Sequence, residues 1–573
     1  MEHVKLKTTR VNFVLALLQT VMVAAVVTIT NTEVPARADL LLQQGRLSTL
    51  ATTSVIWLAA LSCIAIVLLE KRTWLRLLWA VVISLGGAVA WGFQRAAHLE
   101  LSVFDILGFW EARHEAGNAS AIYGEAIKLA MILLAVSVVV YALPYISRQW
   151  GTLRFDFLRA ALPILPVAII AGVVFQKGGN GHFALPKQFS QISLAALAAG
   201  KLAVLPTVKR NDVAMKVEPL KAASHILYLV DESLRPDYIS TVPGNNITPN
   251  FASFALQMVN YGPASAGAIC SNYANAVLRF MPSRADIGGG INYTPTIWQY
   301  AKAAGFRTVY IDAQGHAIEN ETRLQNFMTP IELKQIDAFY PLVGATSNEA
   351  DRALLEIIHK EFAKPGPVFI YANKQGMHFP YDQNYYTDFG PHHPEQSEVG
   401  TIEINSMLNS YRNAVDWNVE KFFGEFAKRV SMKDLAMVYT SDHGQYFAPH
   451  EATHCKSSDS HPQMAYVPMF AYVDSAAGMN ELAKGAAQSK GRANHFQIAP
   501  TILHWMGFDQ SDIAAHYSET LHTGTKLDPA YTLGDIFGLF SSDVEWVKLD
   551  LDENYLEPET AKAVESLTAV VKQ

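Results

Sequence analysis

Residues 435–445 read LAMVYTSDHGQ, and residues 226–233 read ILYLVDES. Each is a short β-rich apolar run that stops at chemically loaded residues: Glu232 after one, Asp442 and His443 after the other. Similar runs recur outward from these two, at Thr308–Asp312, Val368–Ala372 and Val467–Val473. Longer segments with helical periodicity, such as Ile404–Val430, lie between them. This alternation predicts an α/β domain with a mainly parallel sheet and helices on both faces. In such sheets active residues collect at the carboxyl ends of strands, where Asp231-Glu232-Ser233 and Ser441-Asp442-His443-Gly444 fall. Carboxylate oxygen and imidazole nitrogen are both good ligands for a zinc-type ion. An Asp-His pair by itself is equally compatible with a turn that caps the next element.

The 573 residues exceed what one hydrophobic core usually holds, and the apolar residues are unevenly spread. Almost every long uncharged run precedes residue 176. Five of them, near 11–29, 47–69, 77–93, 126–146 and 157–175, are each predicted to span a hydrocarbon layer of about 30 Å. No small-residue cleavage pattern directly follows the first, which therefore reads as an anchor rather than a removed signal peptide. Lys5, Lys7 and Arg10, then Lys71, Arg72 and Arg76, then Arg148, Arg154 and Arg159 flank alternate ends of the spans. The rule that basic loops stay inside puts all three groups in the cytoplasm and everything after residue 176 outside it. The expected organisation is a transmembrane domain over 1–176, a connector over 177–217 with an interfacial apolar stretch at Ile192–Leu205, and a soluble domain over 218–573. The net charge of −7 offers no basic patch, so nucleic acid is excluded as a partner. Three cysteines, Cys63, Cys270 and Cys455, contain no CxxC pair.

VDESLRPDY at 230–238 followed by YTSDHGQ at 439–445 resembles the alkaline-phosphatase-like superfamily, of which sulfatases are part. The closer resemblance is to its membrane branch, the phosphoethanolamine transferases of lipid A and the lipoteichoic acid synthases, which share the layout of five spans and an extracytoplasmic sulfatase-like domain. GMHFPYD at 376–382, NSYRNAVDWNVEKFF at 409–423 and HFQIAPTILHWMGF at 495–508 are similar to further stretches of that family.

The resemblance implies Glu232, Asp442 and His443 as ligands of Zn²⁺, with Mn²⁺ as the alternative ion. It implies His378 as a substrate-contacting histidine and His454 as a histidine facing the transferred group or a second ion, with His450 and His461 as competitors for that place. Arg235 is implied either to aid phosphate charge or to form a structural salt bridge. The family's attacking group stands at a helix start beside the metal, where metal charge and helix dipole favour the anion. SAGAICSNYANAVLRF at 265–280 is the segment that fits, offering Ser271 and, as the alternative, Cys270. The Cys-x-Pro-Ser-Arg type signal for modifying a sulfatase cysteine is absent, since 270–274 read CSNYA. Cys270 and Cys455 would both lie near the metal, and in an oxidising envelope neighbouring thiols pair. A Cys270–Cys455 disulfide is expected, with two unrelated buried cysteines as the alternative.

The function implied is transfer of phosphoethanolamine or phosphoglycerol from a membrane phospholipid to lipid A, a glycan or a polymer, through a covalent phospho-enzyme. The implied place is the bacterial inner membrane, multi-pass, with the catalytic domain in the periplasm. A phosphatase, phosphodiesterase or sulfatase-type hydrolase of the same superfamily is the rival, as is a non-catalytic scaffold on the same fold.

Overall fold

The computed structural model describes residues 2–97, 100–111, 120, 123–150, 161–204, 209–218, 223–240, 247–314, 330–342, 345–399, 403–448, 453–455, 460–540 and 544–551. The chain forms two compact units, Met1–Pro206 with Leu539–Ser541, and Thr207–Gly538 with Ser542–Gln573.

Among the described residues of the first unit, four helices are long and apolar enough to cross a membrane: Val11–Thr30, Leu47–Leu69, Thr73–Ala96 and Gly124–Trp150. Leu17, Leu58, Leu78 and Met131 on these helices are exposed, as expected of surfaces facing hydrocarbon. The fifth expected span is represented by helix Ile164–Gln176, whose 13 residues rise about 20 Å. Residues 157–160 of that span lie outside the described residues. Within the stretch expected as a connector over 177–217, Lys187–Val204 is a helix whose first seven residues, Ile192 apart, are buried. Its polar start is accommodated by distant partners. Gln188 Nε2 donates to Thr30 Oγ1 at 2.8 Å, Asn31 Nδ2 donates to Gln188 Oε1 at 3.2 Å, and Lys187 pairs with Glu33.

The second unit is built on a seven-stranded sheet. Its strands are β1 (His225–Asp231), β2 (Val259–Ser265), β3 (Arg307–Asp312), β4 (Ala338–Pro341), β5 (Val368–Asn373), β6 (Leu435–Ser441) and β7 (Tyr466–Val473), in the order β2-β7-β6-β1-β5-β3-β4. β6, β1, β5, β3 and β4 are mutually parallel, while β7 runs antiparallel to both β6 and β2. β8 (Ala530–Gly534) and β9 (Val544–Lys548) form a separate antiparallel pair. Side chains alternate across β1, so Ile226, Tyr228 and Val230 enter one apolar core while Leu227 and Leu229 enter the other. Both faces are covered, which is why the central strands read as unbroken apolar runs.

Register places the chemistry. Asp231 pairs with Ser441, Val230 with Asn373, and Asp312 with Asn373. The residues just beyond these pairs, Glu232, Asp442, Lys374 and Gln314, therefore emerge at one edge of the sheet. The helical stretch expected at Ile404–Val430 is an α-helix (Ile404–Val415), a π-helical turn (Asp416–Lys421) and a second α-helix (Phe422–Arg429) in unbroken succession.

Candidate metal centre

Glu232, Asp442 and His443 each offer a ligand atom, and these atoms all lie within 4.8 Å of one another. All three side chains are buried. Asp442 Oδ1 accepts from the Ser233 amide at 3.0 Å and the His443 amide at 2.7 Å. Asp442 Oδ2 has no hydrogen-bond partner and stands 3.6 Å from His443 Nε2, which is 3.4 Å from Glu232 Oε1. His443 Nδ1 donates to the Gly444 carbonyl at 2.8 Å, which leaves the Nε2 lone pair as the inward-facing group in the neutral ring. A buried carboxylate oxygen without a donor is costly, and here it faces a second carboxylate and an imidazole nitrogen. That donor set fits a divalent cation.

The electrostatics of the protein groups alone point the same way. Burial, together with the negative charge of Glu232, pushes Asp442 well above the ordinary carboxylate range. Burial also acts on Glu232, but the contact and charge of His443 hold it well below that range. Burial opposes charge on His443, yet Asp442 and Glu232 outweigh it and raise the imidazole to about 9. Two buried acids thus face each other across an imidazole, an arrangement that favours a cation between them.

Ser271 is the first residue of helix Ser271–Phe280, after Cys270 in extended conformation. Its Oγ lies 3.0 Å from His443 Nε2 and 3.3 Å from Glu232 Oε1. Cys270 is disulfide-bonded to Cys455, with Cα atoms 4.6 Å apart, so its sulfur carries no thiol. At the other end of the helix, Arg279 Nε meets Glu332 Oε1 at 3.2 Å, with both side chains fully buried.

His454 stacks on His443, with centroids 4.5 Å apart and planes at 21°. Its Nδ1 lies 3.0 Å from Thr453 Oγ1 and 3.2 Å from Gln445 Oε1. Burial and the neighbouring His443 hold it down to about 3, so it is neutral. His378 is half-buried in the loop after β5, near enough to act electrostatically on both Glu232 and His454. His461 instead stacks on Tyr446 at 3.7 Å, and His450 lies outside the described residues. Arg235 is buried and grips Asp237 through two contacts, Nε to Oδ1 at 2.9 Å and Nη2 to Oδ2 at 2.6 Å. Of its two expected roles, the structure gives it the salt bridge.

Sequence reasoning passed over three residues at this edge. Lys374 is fully buried, donating to Asp231 Oδ2 at 2.6 Å and to the Asn418 carbonyl at 2.6 Å, with Asp351 Oδ2 3.5 Å away. Asp351 in turn accepts from the amides of Gln375 at 2.7 Å and Gly376 at 3.2 Å. Gln314 Nε2 donates to Glu232 Oε2 at 2.8 Å. Lys374 and Gln314 directly follow β5 and nearly follow β3, so applying the strand-end rule to every strand would have marked them. Gly376 has φ +52°, and a Cβ there would collide with the Asp231 carboxylate and stand 2.8 Å from the Glu232 amide nitrogen. Only glycine lets this loop press against the end of β1.

Residues 224–508 match the family model described as Sulfatase. The soluble unit is a sulfatase-family domain. The integral membrane protein lipooligosaccharide phosphoethanolamine transferase A (EptA) from Neisseria meningitidis is a structural relative at 13% identity, with 86% of this chain and 96% of that chain covered and a TM-score of 0.57. The overlay includes the N-terminal helices and shows a shared fold. The zinc complex of the C-terminal periplasmic domain of EcEptC from Escherichia coli aligns at 15% identity over 60% of this chain and 97% of that chain, with a TM-score of 0.49. No curated protein sequence matches the chain.

Proposed function

We propose that this chain is a metal-dependent transferase of the bacterial inner membrane that moves phosphoethanolamine, or alternatively phosphoglycerol, from a phospholipid to an envelope acceptor such as lipid A, a glycan or a polymer. The observation that carries the reading is Ser271 Oγ at a helix start, 3.0 Å from His443 Nε2 and 3.3 Å from Glu232 Oε1. The EptA relative is a phosphoethanolamine transferase by name, and the four long apolar helices taken with the shorter apolar helix Ile164–Gln176 as a fifth crossing, their basic flanks inside, favour a soluble domain on the periplasmic side. A phospholipid donor suits a catalytic domain tethered to the membrane.

In this reading Glu232, Asp442 and His443 hold Zn²⁺ or Mn²⁺, which when bound lowers the pKa of a nearby hydroxyl and neutralises charge on phosphoryl oxygens. Ser271 Oγ attacks phosphorus: the Ser271 O–P bond forms, the P–O bond to diacylglycerol breaks, and the serine proton is lost while the glyceryl oxygen gains one. The backbone amides at the start of helix Ser271–Phe280 favour the developing negative charge. His378 and His454 face the transferred group, and the disulfide fixes Cys270 so that Ser271 alone presents a nucleophile. An acceptor oxygen then displaces Ser271, forming its own bond to phosphorus as the Ser271 O–P bond breaks; a hydroxyl acceptor gives up its proton and the serine oxygen takes one up, restoring the free hydroxyl.

The test is mass spectrometry of the full-length protein in detergent after incubation with defined phospholipids. An added phosphoethanolamine or phosphoglycerol mass on the 265–280 peptide, with diacylglycerol released, is expected, and the mass identifies the head group. Release of free head group without a modified acceptor would make the chain a hydrolase. Absence of both bound metal and adduct would overturn the catalytic reading.

A further inference from the structure

We infer that Gln314 is a positioning residue that orients the Glu232 carboxylate toward the metal. The inference rests on the metal reading proposed above. Glu232 has two oxygens with separate surroundings. Oε1 faces the centre, 3.3 Å from Ser271 Oγ and 3.4 Å from His443 Nε2, and accepts from Ser233 Oγ at 2.7 Å. Oε2 accepts from Gln314 Nε2 at 2.8 Å. The same amide nitrogen donates to the Lys374 carbonyl at 3.2 Å. Both partners are acceptors, so the amide can stand only one way round, with nitrogen toward Glu232. Gln314 Oε1 is left buried without a partner.

Gln314 is thus clamped between two neighbouring strand ends. Through Lys374 it joins the loop after β5, and through Oε2 it fixes the rotation of the Glu232 carboxylate about its last bond. With Oε2 occupied by a neutral donor, Oε1 is the oxygen presented to Ser271 and His443. Hydrogen bonds to the far side of a ligating group commonly set metal affinity, and removing them costs on the order of ten- to a hundredfold.

The experiment compares full-length wild type, Gln314→Met and Gln314→Asn in detergent. Methionine keeps the volume and removes the donor, while asparagine keeps the amide but withdraws it by one methylene. Each protein is stripped with a chelator and its thermal transition is recorded, then Zn²⁺ affinity is measured against a competing fluorescent chelator. Both variants should bind zinc about ten- to a hundredfold more weakly than wild type, with the metal-free transition little changed. If wild type binds zinc and both variants bind it within twofold, Gln314 does not position the ligand, though the metal reading stands. A lowered metal-free transition with unchanged zinc affinity would make it a packing residue and equally overturn the inference. If wild type itself binds no zinc, the inference and the metal reading fall together.

Discussion

Replacing Lys374 with methionine should destabilise the soluble unit sharply, because the ammonium is the only cation between two buried carboxylates among the described residues. Lys374 Nζ is fully buried, 2.6 Å from Asp231 Oδ2 and 3.5 Å from Asp351 Oδ2, and it lies 4.4 Å from the centroid of the Phe422 ring. Burial already pushes Asp231 up to about 6, against the opposing charge of Lys374. Removing one partner of a buried ion pair costs about 3–5 kcal/mol, since the other charge is left without compensation. At about 2 °C per kcal/mol for a domain of this size, the thermal transition should fall by roughly 6–10 °C. Scanning fluorimetry of the full chain in detergent reads this directly. Adding Asp231→Asn to the variant should recover about half of the loss, since Asp351 stays unpaired, and the double-mutant cycle gives the coupling. A Lys374→Met protein as stable as wild type, or one that Asp231→Asn makes still worse, would refute the ion-pair account.

Ser271→Ala should lower turnover by on the order of a thousandfold or more and abolish the 265–280 adduct, with zinc affinity kept within severalfold; persistence of the adduct would move the nucleophile elsewhere. The joint substitution Cys270→Ser with Cys455→Ser opens a loop closed over a sequence separation of 185. In the chain-entropy account this costs about 5 kcal/mol, visible as a lower thermal transition; an unmoved transition would contradict it. Burial and then the neighbouring His504 hold His522 down to about 4, below its ordinary 6.5. Below pH 6.5 the unfolded chain takes up a proton that the folded protein refuses down to about 4, so stability falls through that window by up to about 3 kcal/mol. His522→Phe should flatten that part of the stability profile, as urea unfolding at stepped pH would show; an unchanged slope would assign it to other groups.

The parts of the fold that announce themselves in the sequence do so for physical reasons. β1 and β6 lie in the middle of the sheet with both faces covered, so they read as apolar runs that end where the chain reaches the site. β2 carries Gly262 and Pro263, which break a strand pattern, and β4 has only four half-buried residues at the sheet edge. Neither run is distinguishable from a loop. The antiparallel direction of β7 is invisible because periodicity carries no sense of direction. At the centre, Glu232, Asp442 and His443 stand out as reactive types at strand ends, and Ser271 through the resemblance. Lys374 and Gln314 stand at strand ends too, but what each does there is set by partners distant in sequence: Asp231 and Asn418 for one, Glu232 for the other. The same holds for the start of helix Lys187–Val204, whose Lys187, Gln188 and Gln191 read as surface until Thr30 and Asn31 come into view.

The π-helical turn Asp416–Lys421 changes the phase of the helix that contains it. A turn of this kind accommodates one residue more than the α-helical spacing allows, and each residue of an α-helix advances the chain by about 100°. Met407, Leu408 and Tyr411 before it, and Phe422, Phe423 and Phe426 after it, all reach the same apolar core. Deleting a single residue in 416–421 would let regular winding return with both sets still facing that core. It would also return the Asn418 carbonyl, which now receives the Lys374 ammonium, to the helix's own ladder. The irregularity therefore serves the buried ammonium: a one-residue deletion there should take an acceptor from Lys374 while leaving the apolar face of the helix in place.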